Sequence, residues 1–341
     1  MRSVLLLLRR LLFPFSWLYG AVTDLRNLLY DNGFYAVHSF DVRTIGVGNL
    51  TVGGTGKTPH IEYLIRLLKP EYALATLSRG YGRKTTGFRI ATEQDTAETL
   101  GDEPLQLFQK FGREVTVCVG EKRAEAIPLI TEKNPGIVLL DDAFQHRPVK
   151  PFVNLLLTDF NRPFFQDIPF PAGNLRERRH GARRADAVIV TKCPDELSQA
   201  ERDDWSHRIS RYTRPGTPVF FSSIRYGEPV PVRPGLPFPK EREVTLVSGL
   251  ARPELFERYA KSRFRVASHL AFGDHHAYTS EDWQRMTATG KALLTTEKDV
   301  VKLRAFPQEN ASLFYLPIEV YFPEQGAFDT WLRSRLSVNK A

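Results

Sequence analysis

Residues 48–60 read GNLTVGGTGKTPH, a glycine-rich run that ends in Gly56-Lys57-Thr58. A loop that cradles phosphates needs backbone N–H groups at a helix N-terminus, a lysine for the β/γ-phosphates and a hydroxyl for magnesium. Gly53, Gly54 and Gly56 supply the backbone freedom, Lys57 the charge and Thr58 the hydroxyl. The common pattern has a glycine where this chain has Thr51, and Gly53 and Gly54 are expected to absorb the tight backbone instead. The run Thr51, Val52, Gly53, Gly54, Thr55, Gly56, Lys57, Thr58 is therefore read as a nucleotide-phosphate loop. A second motif supports it. GIVLLDDAFQHR ends an apolar strand with Asp141-Asp142, where a phosphate-loop enzyme places an acid to hold magnesium, directly or through water. With Thr58, these two aspartates form the expected metal environment.

Elements of the right kind surround both motifs. RTIGVGNL reads as a strand entering the glycine loop and PHIEYLIRLLK as the helix leaving it. YALATLSRG, EVTVCVG, GIVLLDDA, FVNLLLTD and ADAVIVTKC are further strands, near-continuous in Val, Ile and Leu. Such runs suit strands covered on both faces, hence a mostly parallel sheet flanked by helices. The proline-rich stretch 226–243 reads as a linker, after which VTLVSGLARPELFERYA, ALLTTEKDVVKL and LFYLPIEVYF begin a second strand–helix series with a terminal helix. The fold class is thus α/β of the P-loop NTPase type with a second, smaller α/β domain. The expected division is an N-terminal helical segment over 1–35, a core domain over 36–225, the linker, and a C-terminal domain over 244–341.

The 341 residues are enough for two modest domains, and 42% hydrophobic with 25% charged residues is an ordinary globular balance. A net charge of +8 favours an anionic partner. Only two cysteines occur, Cys118 and Cys193, both in apolar runs, which argues against a disulfide or zinc framework.

The N-terminus, MRSVLLLLRRLLFPFSWLYGAV, is strongly apolar yet interrupted by Arg9 and Arg10. The charge-free stretch that follows is shorter than the about 20 apolar residues a bilayer span needs. On a helix, Arg2, Arg9 and Ser16 form one narrow polar stripe and the remaining surface is Leu, Phe, Trp and Tyr. That profile fits a helix lying in a membrane interface, its arginines facing anionic headgroups. A signal peptide and a buried structural helix are the competing readings; the paired arginines split the apolar region a signal would need.

VGNLTVGGTGKTP, LSRGYGR, GDEP, DDAFQHR, PAGNLRE, FGDHHAY and TTEKDVVKL occur in this order along the chain. In order and spacing the set resembles the tetraacyldisaccharide 4′-kinases, membrane-associated enzymes that phosphorylate the lipid A disaccharide precursor of Gram-negative bacteria. The resemblance covers nearly the whole chain. It implies ATP and Mg2+ in a cleft between the two domains, and a peripheral or monotopic enzyme on the cytoplasmic face of the inner membrane. It further implies Lys57 on the ATP phosphates and Asp102 of GDEP as general base for the sugar 4′-hydroxyl. His275 of FGDHH is the implied partner of that base, although sequence alone does not separate it from His276. Glu177 of LRE is implied in the active site, and Arg79 and Arg176 are expected to meet the phosphate of the lipid. An anionic inner-membrane surface is the expected partner besides the substrate; neither nucleic acid nor an obligate protein partner is expected.

The residues themselves leave blander readings open. Asp102 is also an ordinary acid at a helix N-terminus, and His275-His276 a core or metal pair. Arg176, Arg178, Arg179, Arg183 and Arg184 fall within nine residues and read either as a solvated basic face or as a phosphate- or headgroup-binding patch. Two rival functions come from other classes. VIVTKCP resembles the guanine reader of P-loop GTPases and metallochaperone-like NTPases, but Pro194 stands where the reading aspartate belongs and Asp195 comes one residue late. A pI near 9.4 raises a nucleic-acid-dependent ATPase, yet the basic residues are not interleaved with an aromatic platform.

Overall fold

The computed structural model describes residues 2–308, 311–324 and 326–338, and for 2–10 the backbone alone. The chain opens with α1 (Arg2–Asp31), followed by β1 (Arg43–Asn49), α2 (Lys57–Leu68), β2 (Leu74–Ser78) and β3 (Arg89–Ile90). Next come α3 (Ala97–Leu100), α4 (Asp102–Phe111), β4 (Val115–Val119), α5 (Arg123–Thr131), β5 (Ile137–Asp141) and β6 (Val153–Asp159). Then follow β7 (Ala187–Thr191), α6 (Gln199–Ser210) and β8 (Val219–Phe221). These strands form one eight-stranded sheet in the order β3-β4-β2-β5-β1-β6-β7-β8, antiparallel only at the β3 edge. Every residue of β5 and β6 is buried, as their unbroken Val/Leu/Ile runs require when helices cover both faces.

The sheet order does the positioning. Because β1 lies between β5 and β6, the loop after β1 emerges at mid-sheet. Register pairs Val47 with Asp141 across β1 and β5, and Leu77 with Leu140 across β2 and β5. The carboxyl ends of three strands therefore deliver Asn49, Ser78 and Asp141 to one crevice, the usual place for a ligand in an open α/β sheet.

A narrow ribbon leads away. β9 (Ser223–Tyr226) continues from β8, and β10 (Val230–Pro231), β11 (Glu243–Ser248), α7 (Pro253–Arg263), β12 (Arg265–Ala271) and α8 (Ser280–Thr287) follow. Then come β13 (Ala292–Thr296), α9 (Glu297–Leu303), β14 (Leu313–Leu316), β15 (Ile318–Tyr321) and α10 (Ala327–Ser337). A second sheet has the order β10-β14-β13-β11-β12, and β9 pairs antiparallel with β15 as a separate two-stranded ribbon. The stretch 226–243, expected as a linker, contributes β10 to the edge of this smaller sheet.

The terminal helix does not stay with that sheet. Phe328, Leu332 and Leu336 are buried in the cluster that holds Ile61, Ile65 and Phe220 of the larger unit. Phe328 stacks on Phe322 at 4.5 Å and meets Phe220 edge-on at 5.3 Å, and Tyr63 of α2 donates to Asp329 at 2.6 Å. The expected C-terminal domain, 244–341, is thus spatially divided: α10 covers the larger sheet because its aromatic face finds a Phe/Tyr-lined surface there.

Helix α1 is inverted relative to a soluble amphipathic helix. The residues it turns toward the protein are Ser16, Gly20, Thr23 and Asn27, small or polar and spaced at helical intervals. Leu11, Phe13, Phe15, Trp17, Leu18, Val22, Leu25 and Leu28 are exposed. Ser16 accepts from Ala172 N at 2.8 Å, and a Cβ on Gly20 would stand 2.5 Å from the Arg178 side chain. The stripe expected to carry Ser16 is therefore the docking face. The side chains of Arg2, Arg9 and Arg10 lie outside the described residues. Among those described, no helix is long and apolar enough to cross a membrane.

Replacing Phe328 by alanine removes a ring that is 1% exposed at the centre of the α10 contact. The expected loss in urea denaturation is about 3–5 kcal/mol. Phe13→Ala, on the outward face of α1, should stay within about 0.5 kcal/mol of the parent.

Candidate active site

The glycine loop has the conformation its residues permit. Gly53 (φ 100°) and Gly56 (φ 87°) take the left-handed turns, whereas Thr51 sits in an extended bridge against Leu175. A glycine at Thr51 is unnecessary because the tight backbone falls two residues later. No heavy atom lies within 4 Å of a Cβ built on Gly53 or Gly54, so the loop leaves open space beside its backbone. Three bonds fix its frame. Asn49 Nδ2 donates to Thr55 Oγ1 at 2.8 Å, Thr191 Oγ1 donates to Thr55 O at 2.9 Å, and Val52 N donates to Asn174 O at 2.9 Å. His60 Nδ1 donates to Gly56 O at 2.7 Å; burial pushes its pKa down to about 4, so the ring is neutral. Helix α2 begins at Lys57, and its first amides have no partner within the helix. The arrangement can bind an anion.

Asp141 and Asp142 stand beside it. Lys57 Nζ is 3.7 Å from Asp142 Oδ1, and Arg176 Nη1 reaches both Asp142 oxygens at 2.9 Å. Burial alone would raise the Asp142 pKa, but the Lys57 and Arg176 charges outweigh it and hold the group below its usual value. Asp142 also adopts a left-handed backbone (φ 46°), a strained conformation that recurs at functional sites. Asp141 also feels Lys57 and Arg123, but less strongly than it feels its burial. Burial, then the nearby charge of Glu103, raise it to about 7, and its Oδ1 is buried without a hydrogen-bond partner. A buried carboxylate oxygen without a hydrogen-bond partner fits a hard cation. The available donors are carboxylate and hydroxyl oxygens, the set that suits Mg2+. Among the described residues no cluster of three or more His, Cys, Asp or Glu could hold a metal.

Asp102 opens α4 behind Gly101, which takes φ 94°; a Cβ there would stand 2.9 Å from Tyr81 O. His275 Nδ1 lies 3.2 Å and Lys302 Nζ 2.7 Å from the same oxygen, Asp102 Oδ2. Burial raises the Asp102 pKa, yet these hydrogen bonds and the Lys302 charge lower it overall. Its Oδ1 has no hydrogen-bond partner among the described residues. His276 turns the other way, to Asp282 Oδ2 at 2.9 Å. The structure therefore separates the two histidines: His275, itself left-handed (φ 57°), is the one at Asp102. The Glu103 charge felt at Asp141 places the start of α4 beside the acid pair.

Glu177 differs from expectation. It is fully buried, and its carboxylate is taken by Arg184 at 2.6 Å, Asn27 of α1 at 2.8 Å and Gln145 at 3.1 Å. Its two oxygens are shared among these three donors. The arginine run is likewise mostly engaged: Arg176 with Asp142, Arg178 with Asp24, Arg179 with Asp167 O and Arg184 with Glu177. Only Arg183 of that run is fully exposed. Arg79 is exposed at the end of β2, and its charge is felt by Arg123 and His146, which makes a positive corner next to the acid pair. The residues missed from sequence are Arg123, which donates to Asp141 O at 2.5 Å, together with Gln145, His146 and Lys302. Each lies in or beside a quoted motif, but the bond it makes depends on the fold.

Asp195 is hydrogen-bonded by Tyr321, and Lys192 is held by Asp159 at 2.7 Å and by Gly54 O. Neither is free to read a guanine.

The chain matches the family model described as tetraacyldisaccharide-1-P 4′-kinase (LpxK) over residues 8–337. A protein named tetraacyldisaccharide 4′-kinase from Flavobacterium johnsoniae is 42% identical over 98% of either chain. One of the same name from Bacteroides thetaiotaomicron is 43% identical over 91% of this chain and 88% of its own. The crystal structure of LpxK from Aquifex aeolicus in complex with ATP is similar at a TM-score of 0.76 and 32% identity, covering 96% of this chain and 99% of that one.

Exchanging the two histidines one at a time separates their roles. His275→Ala removes a donor to Asp102 and should move the Asp102 pKa upward, followed by carboxyl NMR or by the acid limb of an activity profile. His276→Ala should leave that titration where it is.

Proposed function

The chain belongs to the tetraacyldisaccharide-1-phosphate 4′-kinase family, and from that premise we propose how its residues carry out the reaction. It transfers the γ-phosphoryl of ATP to the 4′-hydroxyl of a tetraacyl glucosamine disaccharide 1-phosphate. The observation that carries the mechanism is the asymmetry of Asp102. Both donors, His275 and Lys302, sit on Oδ2, which leaves Oδ1 to accept the proton of the sugar hydroxyl. The same donors keep the carboxylate ionised, so it is a weak base that works by orientation while the proton moves late.

Residues 51–58 wrap the ATP phosphates with backbone amides, and Lys57 meets the charge that develops on the transferring group. Thr58, Asp141 and Asp142 would hold Mg2+, which neutralises the phosphate oxygens when bound. Transfer is direct, without a phosphoenzyme. Arg79, with Arg123 and His146 behind it, takes the phosphate of the lipid, while Arg176 keeps Asp142 aligned. The larger and smaller sheets form the two domains, and the ATP cleft lies between them, where His275 and Lys302 approach Asp102.

The acceptor's acyl chains sit in a bilayer, so its sugar lies at the interface. Helix α1 meets that surface with its exposed Leu, Phe and Trp side chains, and its polar docking face supports this orientation, because an outward apolar stripe of this length has no partner in water. The enzyme is accordingly peripheral, on the cytoplasmic face of the inner membrane.

Two measurements test these assignments. Lys57→Ala should lower kcat by about 100- to 1000-fold. Asp102→Ala should lower kcat by about 100- to 10,000-fold while the Kd for ATP stays put; collapse of ATP binding instead would make Asp102 a metal ligand. For the membrane, Phe15→Ser, Leu18→Ser and Val22→Ser together spare the docking face of α1. The triple variant should sediment less with anionic liposomes and show a raised KM for lipid at unchanged ATP affinity. Equal sedimentation of variant and parent would exclude α1 as the membrane contact.

A further inference from the structure

The face of α4 that begins with Asp102 continues through Gln106 to Lys110, one and two turns further on. Lys110 Nζ lies 2.6 Å from Glu62 Oε2 of α2 and 2.7 Å from Glu297 Oε1 at the start of α9. Gln106 Nε2 donates to Glu62 Oε1 at 2.8 Å, and Arg66 Nη2 lies 3.2 Å from Glu62 Oε2. The other Glu297 oxygen accepts from Ile318 N of β15 at 3.0 Å. Glu62 and Glu297 are 1% and 6% exposed. A single ammonium therefore joins three helices: α4, which carries it, α2 through Glu62 and α9 through Glu297, which in turn holds Ile318 N of β15.

The polarity of this contact is specific. Helices α4 and α9 meet head to tail, Asp102 with Lys302 at one end and Lys110 with Glu297 at the other. Two ion pairs of opposite sense fix both the slide and the rotation of α4 on α9, since neither survives a shift along the axis. Removing the ammonium leaves two buried carboxylates facing each other, which repel and open the contact. Burial already pushes the Glu62 carboxyl up, with the Lys110 charge opposing that rise.

We infer that Lys110 is a positioning residue for phosphoryl transfer, holding Asp102 in register with the phosphate loop on one side and with Lys302 and His275 on the other. This rests on the reading of Asp102 as the base. Asp102 is faced by Lys302 of α9, by His275 and Tyr278 of the segment before α8, and by Glu103 of its own helix. If α4 slips, the two donors are lost first and the carboxyl titrates higher. A base must be ionised to act, so the acid limb of kcat/KM then moves to higher pH.

The test compares Lys110→Met, Lys110→Arg, Glu297→Gln and Asp102→Asn with the parent full-length protein, measuring kcat, KM for lipid, Kd for ATP and the pH profile. Lys110→Met should lower kcat by about tenfold or more, the scale of a small misplacement of a reacting group. Its acid limb should move to higher pH with ATP affinity unchanged, and Lys110→Arg should restore most of both. Glu297→Gln keeps the side-chain shape and should show the same pH shift in milder form, so it carries the test should Lys110→Met fail to fold. An unmoved acid limb in Lys110→Met, or in Glu297→Gln where the methionine variant does not fold, would overturn the inference, even if thermal stability falls. Near-parental activity of Asp102→Asn would instead overturn the reading of the base, and so distinguishes the two failures.

Discussion

Two adjacent carboxylates in a mostly buried crevice repel each other, and the arrangement around them answers that repulsion. Asp142 is neutralised by Lys57 and Arg176, which ties the phosphate loop and the segment after Asn174 to the end of β5. Asp141 is the less compensated of the two: burial outweighs the nearby Lys57 and Arg123 charges and raises its carboxyl. Charge balance there reaches far into the molecule. Arg176 bonds Gln145 at 3.3 Å, Gln145 bonds Glu177, and Glu177 accepts from Asn27 of α1. Helix α1 is thus connected through four polar side chains to the aspartate beside the phosphate loop.

The second sheet answers a different requirement. A carboxylate that is to accept a proton in a half-buried place needs donors that orient it without covering it. The larger unit supplies the carboxylate on α4, and the smaller unit supplies both donors, from α9 and from the loop before α8. Neither unit alone holds Asp102 in this orientation. The ribbon of β9 and β15 is the covalent link that lets the halves meet, and Glu297, bonded to Ile318 N, ties the donor helix to it.

Much of this was legible in the sequence, and for physical reasons. Unbroken Val/Leu/Ile runs announce a parallel sheet because both faces must be apolar, and β1, β2 and β4 through β7 fall where those runs lie. The phosphate loop is local, so its glycines, lysine and threonine are consecutive and their meaning survives without a fold. The base is not local. Asp102 and Lys302 are two hundred residues apart, and nothing in GDEP or TTEKDVVKL states that they touch. The choice of His275 over His276 depends on a backbone turn at φ 57°, and the three partners of Glu177 come from segments that only the fold brings together. The polarity of α1 was visible as composition; which stripe faced inward was decided by Gly20 fitting beneath Arg178.

The placement of α10 bears on how the chain is made. A ribosome delivers the larger sheet first and the smaller one afterward. Phe220 and Tyr63 meet Phe328 only after the entire smaller unit has been synthesised. Until then the nascent core displays an uncovered aromatic surface, while α1, already complete, displays another. The last helix made is thus the one that closes the core begun by the first sheet.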